Sequence, residues 1–173
     1  MTTLEILEKR NQEFARHQFN ANLSPMGTLK TMIVGCVDAR VDPAYVLGLD
    51  AGDAMVIRTL GGRITPTTLQ TISLLLTAAQ MFGASPSTFN IVVLHHTQCG
   101  ITSLVAKPDL LADYFSIDKA ELEAKAVTDP RAAVAVDVAM IKANPITSKW
   151  TISGLVYDVK TGLVETVVAP DSL

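Results

Sequence analysis

The segment "TMIVGCVDAR", residues 31–40, combines a strand signal with reactive side chains. Its first six residues form an apolar, β-type run, which is typical of a strand buried in a sheet. The run ends on Cys36, and Asp38 and Arg40 follow at positions i+2 and i+4 from the thiol. A second segment, "FNIVVLHHTQCG" (89–100), has the same form and places a histidine pair and a cysteine after its apolar run. The two strand ends therefore raise the question of whether they meet around one site.

The order of apolar patterns along the chain predicts an α/β fold. Strand-like runs at 31–36, 54–58 and 89–95 alternate with helix-like segments. This alternation is typical of a single domain with a mainly parallel β-sheet flanked by helices. Residues 3–20 have the pattern of an N-terminal helix, and residues 160–162 separate two strand-like runs. The second pattern predicts a C-terminal β-hairpin.

Two further helices are marked by residues with strong positional preferences. In "TPTTLQTISLLLTAAQMF" (65–82), Pro66 marks the start, and Gly83 lies just past the end. Asp129 is placed to cap another helix, with Pro130 at its first position. The helix over 65–82 is apolar on nearly all sides, so we expect it to be buried on most of them, in part by a second subunit.

Composition limits the possible classes of protein. A chain of 173 residues with 49% hydrophobic residues can form one self-sufficient domain, which we place at 1–173. A net charge of -3 and a pI near 5.5 argue against a nucleic-acid partner. The first residues alternate charged with apolar side chains rather than forming the apolar region of a signal peptide, and no apolar run reaches the roughly 18 residues that a membrane span needs. We expect a soluble, cytoplasmic protein whose two cysteines are free thiols.

The residues at the strand ends are potential metal ligands. Ligands collect outside the carboxyl ends of parallel strands, so Cys36 can meet His96 and Cys99 if their strands are neighbours. Two thiolates and one imidazole are a typical Zn²⁺ ligand set, and three protein ligands leave the fourth position open, as in catalytic sites. In the alternative interpretation, Cys36 is a small core residue, Cys99 a free thiol and His96 a surface or capping side chain.

Asp38 and Arg40 can form a pair on the side of the chain that Cys36 occupies. A bidentate contact would hold the carboxylate close to the metal and aim it at a bound water. The alternative is an ordinary loop salt bridge. The segment matches neither the C-x5-R pattern of cysteine phosphatases nor the G-x-G-x-x-G pattern of dinucleotide sites.

The motif C-x-D-x-R, followed some sixty residues later by H-x-x-C-G, resembles the β-class carbonic anhydrase family, which includes carbonyl sulfide and carbon disulfide hydrolases. "VIRTLGG" and "LHHTQCG" extend the resemblance, the latter to the type D members. The resemblance implies that Cys36, His96 and Cys99 bind Zn²⁺ and that Asp38 and Arg40 form a catalytic dyad. It also implies that the N-terminal helix, within 1–22, embraces a neighbouring subunit in a homodimer or homotetramer.

The chain departs from the family pattern at two places. Thr59 and Leu60 stand where the family usually has Asn-Ala, and with Gly61 and Gly62 we expect them to line the substrate pocket. The larger apolar side chain would narrow the pocket or make it drier. Many relatives have Gly at His95, which we expect to point away from the metal because side chains alternate along a strand.

Three functions are consistent with these residues. The first is CO2 hydration, in which zinc-bound hydroxide attacks a small linear molecule, with backbone N–H groups near Gly61 or Gly100 stabilising the developing anion. The second is hydrolysis of carbonyl sulfide (COS) at the same site, since Thr59 and Leu60 alter the pocket wall. The third is a non-enzymatic zinc or scaffold protein.

We expect His17, in the first helix, to be solvated or to lie in an interface.

Overall fold

In the computed structural model, which describes residues 1–81, 89–147 and 149–171, the helices and strands alternate as the sequence predicts. Short 3₁₀ turns connect several of these elements, including those at Ala39–Val41, Leu60–Gly62 and Gly100–Ala106. The helices and strands, in chain order, are α1 (Thr3–His17), β1 (Thr31–Cys36), α2 (Pro43–Val46), β2 (Ala54–Thr59), α3 (Pro66–Met81), β3 (Asn90–His96), α4 (Pro108–Phe115), α5 (Pro130–Lys142), β4 (Thr151–Tyr157) and β5 (Val164–Val168).

The strands form one five-stranded sheet in the order β2-β1-β3-β4-β5. The first four strands run parallel, and β5 pairs antiparallel with β4 as the outer strand of the predicted hairpin. Chain order therefore reverses between β1 and β3, which are hydrogen-bonded neighbours. This arrangement confirms the α/β class and creates a switch point at the carboxyl ends of these two strands, where ligands collect in such sheets.

The central strands form because both of their faces are covered. In β1 all residues except Thr31 are buried, and β3 is buried at most positions. Strands with two buried faces need continuous apolar runs, which explains why their sequences do not alternate. By contrast, β4 alternates between buried and half-buried residues. The main core lies beneath α5, which packs against β3 and β4.

The helix boundaries follow the capping signals in part. Asp129 caps α5 by accepting hydrogen bonds from two backbone N–H groups, and Pro130 is its first residue, as predicted. Helix α3 begins at Pro66, whereas Gly83 lies outside the described residues. Helix α1 ends at His17 rather than at residue 20, and a capping box built on Thr2 fixes its start.

Two surface helices leave apolar residues uncovered in the single chain. None of the residues of α1 is buried. Helix α3, which we expected to be covered on most sides, exposes Leu74 at 65% and Met81 at 83% in the single chain. Among the described residues, no helix has both the length and the apolar character that crossing a membrane requires.

Candidate metal centre and catalytic dyad

Three potential metal ligands converge at the switch point between β1 and β3. Cys36 is the last residue of β1, His96 is the last residue of β3, and Cys99 follows in the turn after β3. Their side-chain sulfur and nitrogen atoms all lie within 4.8 Å of one another, and all three residues are buried. The fold thus brings together the three residues that the sequence singled out as possible ligands.

The chemistry of these donors fits a Zn²⁺ ion. The two sulfur atoms are 3.7 Å apart, close to the roughly 3.8 Å expected when two thiolates bind one tetrahedral zinc at about 2.3 Å. His96 Nδ1 lies 2.9 Å from the Thr97 carbonyl oxygen, which orients the ring. His96 Nε2 is buried and has no hydrogen-bond partner. This ring nitrogen, which lies beside the two thiols, is therefore free to bind a metal ion while the Thr97 carbonyl oxygen holds the other ring nitrogen.

The two thiols differ in acidity because they contact each other. A hydrogen bond from the Cys99 thiol lowers the pKa of Cys36 to about 4, and His96 and the Asp38 N–H contribute in the same direction. The same contact, together with burial, raises the pKa of Cys99 above its usual range. Since thiolates are the form that binds metals, binding of a metal ion would release the proton that the two thiols share.

Asp38 and Arg40 form the bidentate pair that the sequence predicts. Arg40 Nε donates to Asp38 Oδ1 at 3.0 Å, and Arg40 Nη2 donates to Asp38 Oδ2 at 2.7 Å. The Asp38 side chain also caps the 3₁₀ turn Ala39–Val41 by accepting from the Arg40 N–H. These contacts hold the pKa of Asp38 well below its usual range. The carboxylate is therefore ionised and fixed two residues after Cys36.

The pair is also tied to the turn that carries Cys99. Arg40 Nη2 donates to the Gln98 carbonyl oxygen at 3.2 Å. Gln98 has a φ of 54°, a left-handed conformation that non-glycine residues adopt rarely. Such conformations persist where the surrounding structure enforces them, often at functional sites. One guanidinium group thus connects the loop after β1 to the loop after β3.

Arg58 supports the loop after β1, a role that the sequence pattern did not predict. Its guanidinium donates to the Cys36 carbonyl oxygen at 2.9 Å and to the Asp38 carbonyl oxygen at 2.7 Å. It also donates to the Asp42 carboxylate at 2.8 Å. Arg58 therefore holds the segment from Cys36 to Asp42 at three points, two backbone carbonyl groups and one carboxylate. Its place at the end of β2, next to β1, is the signal that could have identified it.

The residues expected to line the pocket fall into separate places. Gly61 lies in the wall of a small cavity that also contacts His96 and Cys99. Thr59 and Leu60 instead line a separate surface hollow together with Tyr114, whose hydroxyl donates to the Leu60 carbonyl oxygen. The chain turns away after β2 because Gly61 and the next residue, Gly62, have φ values of 70° and 69°.

The other two glycines in the predicted pocket have different environments. A Cβ on Gly62 would lie 2.9 Å from the Leu94 carbonyl oxygen and 3.3 Å from the Cys36 nitrogen. The absence of a side chain at Gly62 therefore lets this turn pack closely against the backbones of both β1 and β3. Gly100, which begins the 3₁₀ turn after Cys99, has open space around the same position.

His95 points away from the three ligands, as strand alternation predicts. Its Nε2 lies 3.2 Å from Asp137 Oδ2 on α5. Asp137 also accepts hydrogen bonds from Arg63 Nε at 2.7 Å and from the Ile64 N–H at 3.1 Å. All three side chains in this group, His95, Asp137 and Arg63, are buried. The third histidine, His17, is exposed on α1.

Comparisons with known proteins agree with this geometry. A family model described as "Carbonic anhydrase" matches residues 31–118. The relative named Beta-carbonic anhydrase 1 from Mycobacterium tuberculosis strain H37Rv is 30% identical over 138 residues, which cover 78% of this chain and 80% of the relative. The relative named Carbon disulfide hydrolase from Acidithiobacillus thiooxidans is 29% identical over 184 residues, covering 92% of this chain and 89% of the relative.

The fold is also similar to that of a carbonic anhydrase of known structure. The crystal structure of carbonic anhydrase from Streptococcus mutans superposes with a TM-score of 0.73 at 31% identity, covering 96% of this chain and 98% of the other. The matched family segment contains β1, the Asp38–Arg40 pair, and both His96 and Cys99. Family model, relatives and fold therefore agree that the chain is an enzyme of the carbonic anhydrase type and belongs to the β-carbonic anhydrase family.

Proposed function

We propose that the chain hydrates CO2 to bicarbonate, using a Zn²⁺ ion held by Cys36, His96 and Cys99. The convergence of the three donor atoms within 4.8 Å, with an unpartnered His96 Nε2, is the observation that carries the proposal. Bound zinc supplies Lewis acidity, which allows a water molecule to act as a nucleophile near neutral pH. Family membership supports the same reaction.

Asp38 is the residue that we assign to orienting the nucleophilic water. Its Oδ2 accepts one hydrogen bond from Arg40, so it retains a lone pair for a second donor. Because the pKa of Asp38 is held well below its usual range, the carboxylate acts as a hydrogen-bond acceptor. Arg40 keeps the carboxylate in one orientation through its two-point contact. Backbone N–H groups near Gly61 or Gly100 are our candidates for stabilising the developing anion.

The ligand assignment is tested by metal analysis of purified variants. We expect Cys36→Ser and Cys99→Ser to lose zinc, since a serine hydroxyl is a poor substitute for a thiolate ligand. His17→Gln is the matched control, because His17 is exposed on α1 and far in sequence from the site. Retention of a full equivalent of zinc by either cysteine variant would contradict the assignment.

COS hydrolysis at the same site is the second candidate function. A relative named Carbon disulfide hydrolase aligns with 92% of this chain, which favours a sulfur-containing substrate as the alternative. Thr59 and Leu60, which replace the Asn-Ala expected from the family resemblance, lie in the wall of a neighbouring hollow. Their effect on substrate choice would therefore act through the position of Gly61.

A side-by-side rate assay on zinc-quantified protein separates these functions. CO2 hydration is followed by stopped-flow pH change, and COS hydrolysis is followed by sulfide release. Fast CO2 turnover with little sulfide supports the carbonic anhydrase reaction, and the reverse supports the COS hydrolase. Absence of both activities in protein that retains zinc would favour the third hypothesis, a non-enzymatic zinc protein.

We further propose that the chain forms a homodimer or homotetramer through α1. This helix buries none of its own residues, although Leu4, Leu7 and Phe14 are apolar and exposed. The exposed Leu74 of α3 offers additional apolar surface. Removal of residues 1–22 should shift the molar mass measured by light scattering to that of a smaller assembly, whereas an unchanged mass would place the interface elsewhere.

A further inference from the structure

The loop that carries His96 and Cys99 is attached to the neighbouring strand through Thr97. Thr97 follows β3 directly, and its N–H donates to the Tyr157 carbonyl oxygen, at the end of β4, at 2.9 Å. Its hydroxyl oxygen accepts a hydrogen bond from the Val159 N–H at 3.1 Å. Thr97 is therefore fixed to the β4–β5 hairpin through both its backbone and its side chain.

The same residue holds the ring of a candidate metal ligand. The Thr97 carbonyl oxygen lies 2.9 Å from His96 Nδ1. Because a carbonyl oxygen can only accept, Nδ1 carries the proton in this contact. Nε2 is then the ring nitrogen with a free lone pair, and it is the one that is buried without a hydrogen-bond partner. The position of the Thr97 carbonyl group thus decides both the orientation and the tautomer of His96.

Val159 lies in a turn that is held together by its own hydrogen bonds. The Asp158 carboxylate accepts from the N–H groups of Lys160 and Thr161, at 2.7 and 3.2 Å. The Gly162 N–H donates to the Asp158 carbonyl oxygen at 2.8 Å, and Gly162 has a φ of 73°, which glycine adopts at little cost. These contacts fix the turn from within, whereas the Val159 N–H donates to the ligand loop.

Apolar packing keeps this turn against the candidate metal centre. Cys36 and Cys99 belong to a small buried cluster of apolar residues, and Tyr157 and Val159 pack against that cluster. Both of the packing residues lie beyond residue 118, where the match to the family model ends. A part of the chain outside the matched segment therefore supports the ligands.

We propose that Thr97 is a positioning residue for the candidate metal centre, and that its hydrogen bond with Val159 makes zinc affinity depend on the β4–β5 hairpin. The inference rests on the proposed function, because it takes His96 and Cys99 as zinc ligands. Arg58 holds the loop after β1, and Thr97 is the corresponding support for the loop after β3. Partners that orient a metal-binding histidine in this way contribute about 10–100-fold in metal affinity.

Removal of the hydroxyl group tests this role. Thr97→Val keeps the shape of the side chain but leaves the Val159 N–H without its acceptor, and we expect the zinc Kd to rise about tenfold or more. Thr97→Ser retains a hydroxyl group and should restore the wild-type Kd. Competition with a chromophoric chelator measures this Kd without any assay of activity. A wild-type Kd in Thr97→Val would overturn the proposal.

Thr161→Val is the matched control on the same hairpin. The Thr161 hydroxyl oxygen also accepts from a backbone N–H, that of Leu163 at 3.3 Å, but this bond lies at the exposed end of the turn. Both substitutions remove one acceptor, so both should lower the urea midpoint of the metal-free protein slightly. Only Thr97→Val should change the zinc Kd and the d–d absorption of the Co²⁺-substituted protein, which reports ligand geometry. Equal changes in Kd would reduce Thr97 to a structural residue of the hairpin.

The wild-type protein offers a second test that does not depend on the folding of a variant. Coupling between two sites is reciprocal, so zinc must stabilise the Thr97–Val159 hydrogen bond by the factor by which this bond improves zinc binding. Native-state hydrogen exchange of the Val159 amide should therefore slow about tenfold when zinc is added, and that of the Leu163 amide should stay unchanged. The absence of a zinc effect at Val159, or an equal effect at both amides, would overturn the proposal.

These experiments separate the role of Thr97 from the proposed function. If Cys36→Ser and Cys99→Ser lose zinc while Thr97→Val keeps the wild-type Kd, the inference about Thr97 fails alone. If Thr97→Val weakens zinc binding but the zinc-loaded wild-type protein hydrates no CO2, the proposed function fails and the role of Thr97 stands.

Discussion

Two aspartate–arginine pairs in this chain have similar contacts and opposite surroundings. Asp38 and Arg40 are two residues apart, and their side chains are 20% and 53% exposed. Asp137 and Arg63 are 74 residues apart, and their side chains are 0% and 1% exposed. Both pairs bring oxygen and nitrogen to within 2.7 Å. From this difference in burial we propose that the outer pair serves the reaction, and we expect the inner pair to serve the fold.

The largest effect on stability should come from breaking the inner pair. Asp137→Ala leaves the Arg63 guanidinium buried without a countercharge, and such changes cost about 3–5 kcal/mol of unfolding free energy. It also removes the acceptor of the Ile64 N–H. Urea unfolding followed by circular dichroism measures the loss. A shift as small as that of a surface pair would show that the inner pair is dispensable for folding.

Breaking the outer pair should instead affect catalysis. Asp38→Asn removes the ionised acceptor to which we assign the orientation of the nucleophilic water, and we expect CO2 turnover to fall by about a hundredfold or more. Zinc content should remain at one equivalent, and the urea midpoint should change little, because exposed pairs contribute little to stability. Unchanged turnover would reduce the pair to a loop salt bridge, the alternative left open by the sequence.

A milder change in the outer pair tests the role of its geometry. Arg40→Lys keeps the positive charge but loses the two-point contact, and we expect turnover to fall about tenfold, less than the hundredfold that larger misplacements cause. The pKa of Asp38 should also rise part of the way towards the usual value of about 3.9. Carboxyl ¹³C NMR of zinc-loaded protein measures this pKa.

The sign of the pH effect follows from the depressed pKa. The stabilisation that Arg40 gives to ionised Asp38 is present above the ordinary carboxyl pKa and is lost as the pH falls through the lower folded value. In Arg40→Lys the loss should therefore be smaller and should be complete at a higher pH than in the wild type, because the folded-state pKa of Asp38 is less depressed. An unchanged Asp38 pKa would show that charge alone, without the two-point contact, sets its acidity.

The smallest effect should come from a pair that is neither buried nor near the metal centre. Arg131 on α5 and Glu165 on β5 are 2.7 Å apart, and about half of each side chain is exposed. Glu165→Gln should leave the urea midpoint and CO2 turnover within experimental error, because water and salt screen such pairs. This variant is the matched control for Asp137→Ala, since both break a contact of α5. A large drop in the urea midpoint of Glu165→Gln would show that burial does not explain why the inner and outer pairs differ in their effect on stability.

The two pairs also mark how far sequence reasoning reached. The Asp38–Arg40 contact is local, and the motif C-x-D-x-R predicted it. The three strands between residues 31 and 96 were also predicted, and their observed bounds differ by at most one residue at each end from those expected. Continuous β-branched runs identify such strands well because both faces must be apolar. The cytoplasmic location, the domain limits of 1–173 and the roles of the site residues stay predictions.

Less of the pocket could be predicted. Thr59 and Leu60 were expected to line the substrate pocket because they stand where the resembled family usually has Asn-Ala, and in the single chain they line a neighbouring hollow. The left-handed turn at Gly61 and Gly62 decides their direction, and glycine permits such a turn without requiring it. The hydrogen bonds from Arg58 to the loop after β1 were not predicted either. They depend on the pairing of β2 with β1, which no local sequence pattern shows.

The sequence by itself determined the α/β class and the strand ends that carry Cys36 and His96. It also determined that the side chain of His95 points away from the three metal ligands. Each of these depends on periodicity or on spacing over a few residues, which a chain expresses locally. Only the tertiary structure decided what His95 meets. Asp137 and Arg63 come from distant parts of the chain, and they come together because α5 packs on the sheet and buries all three side chains.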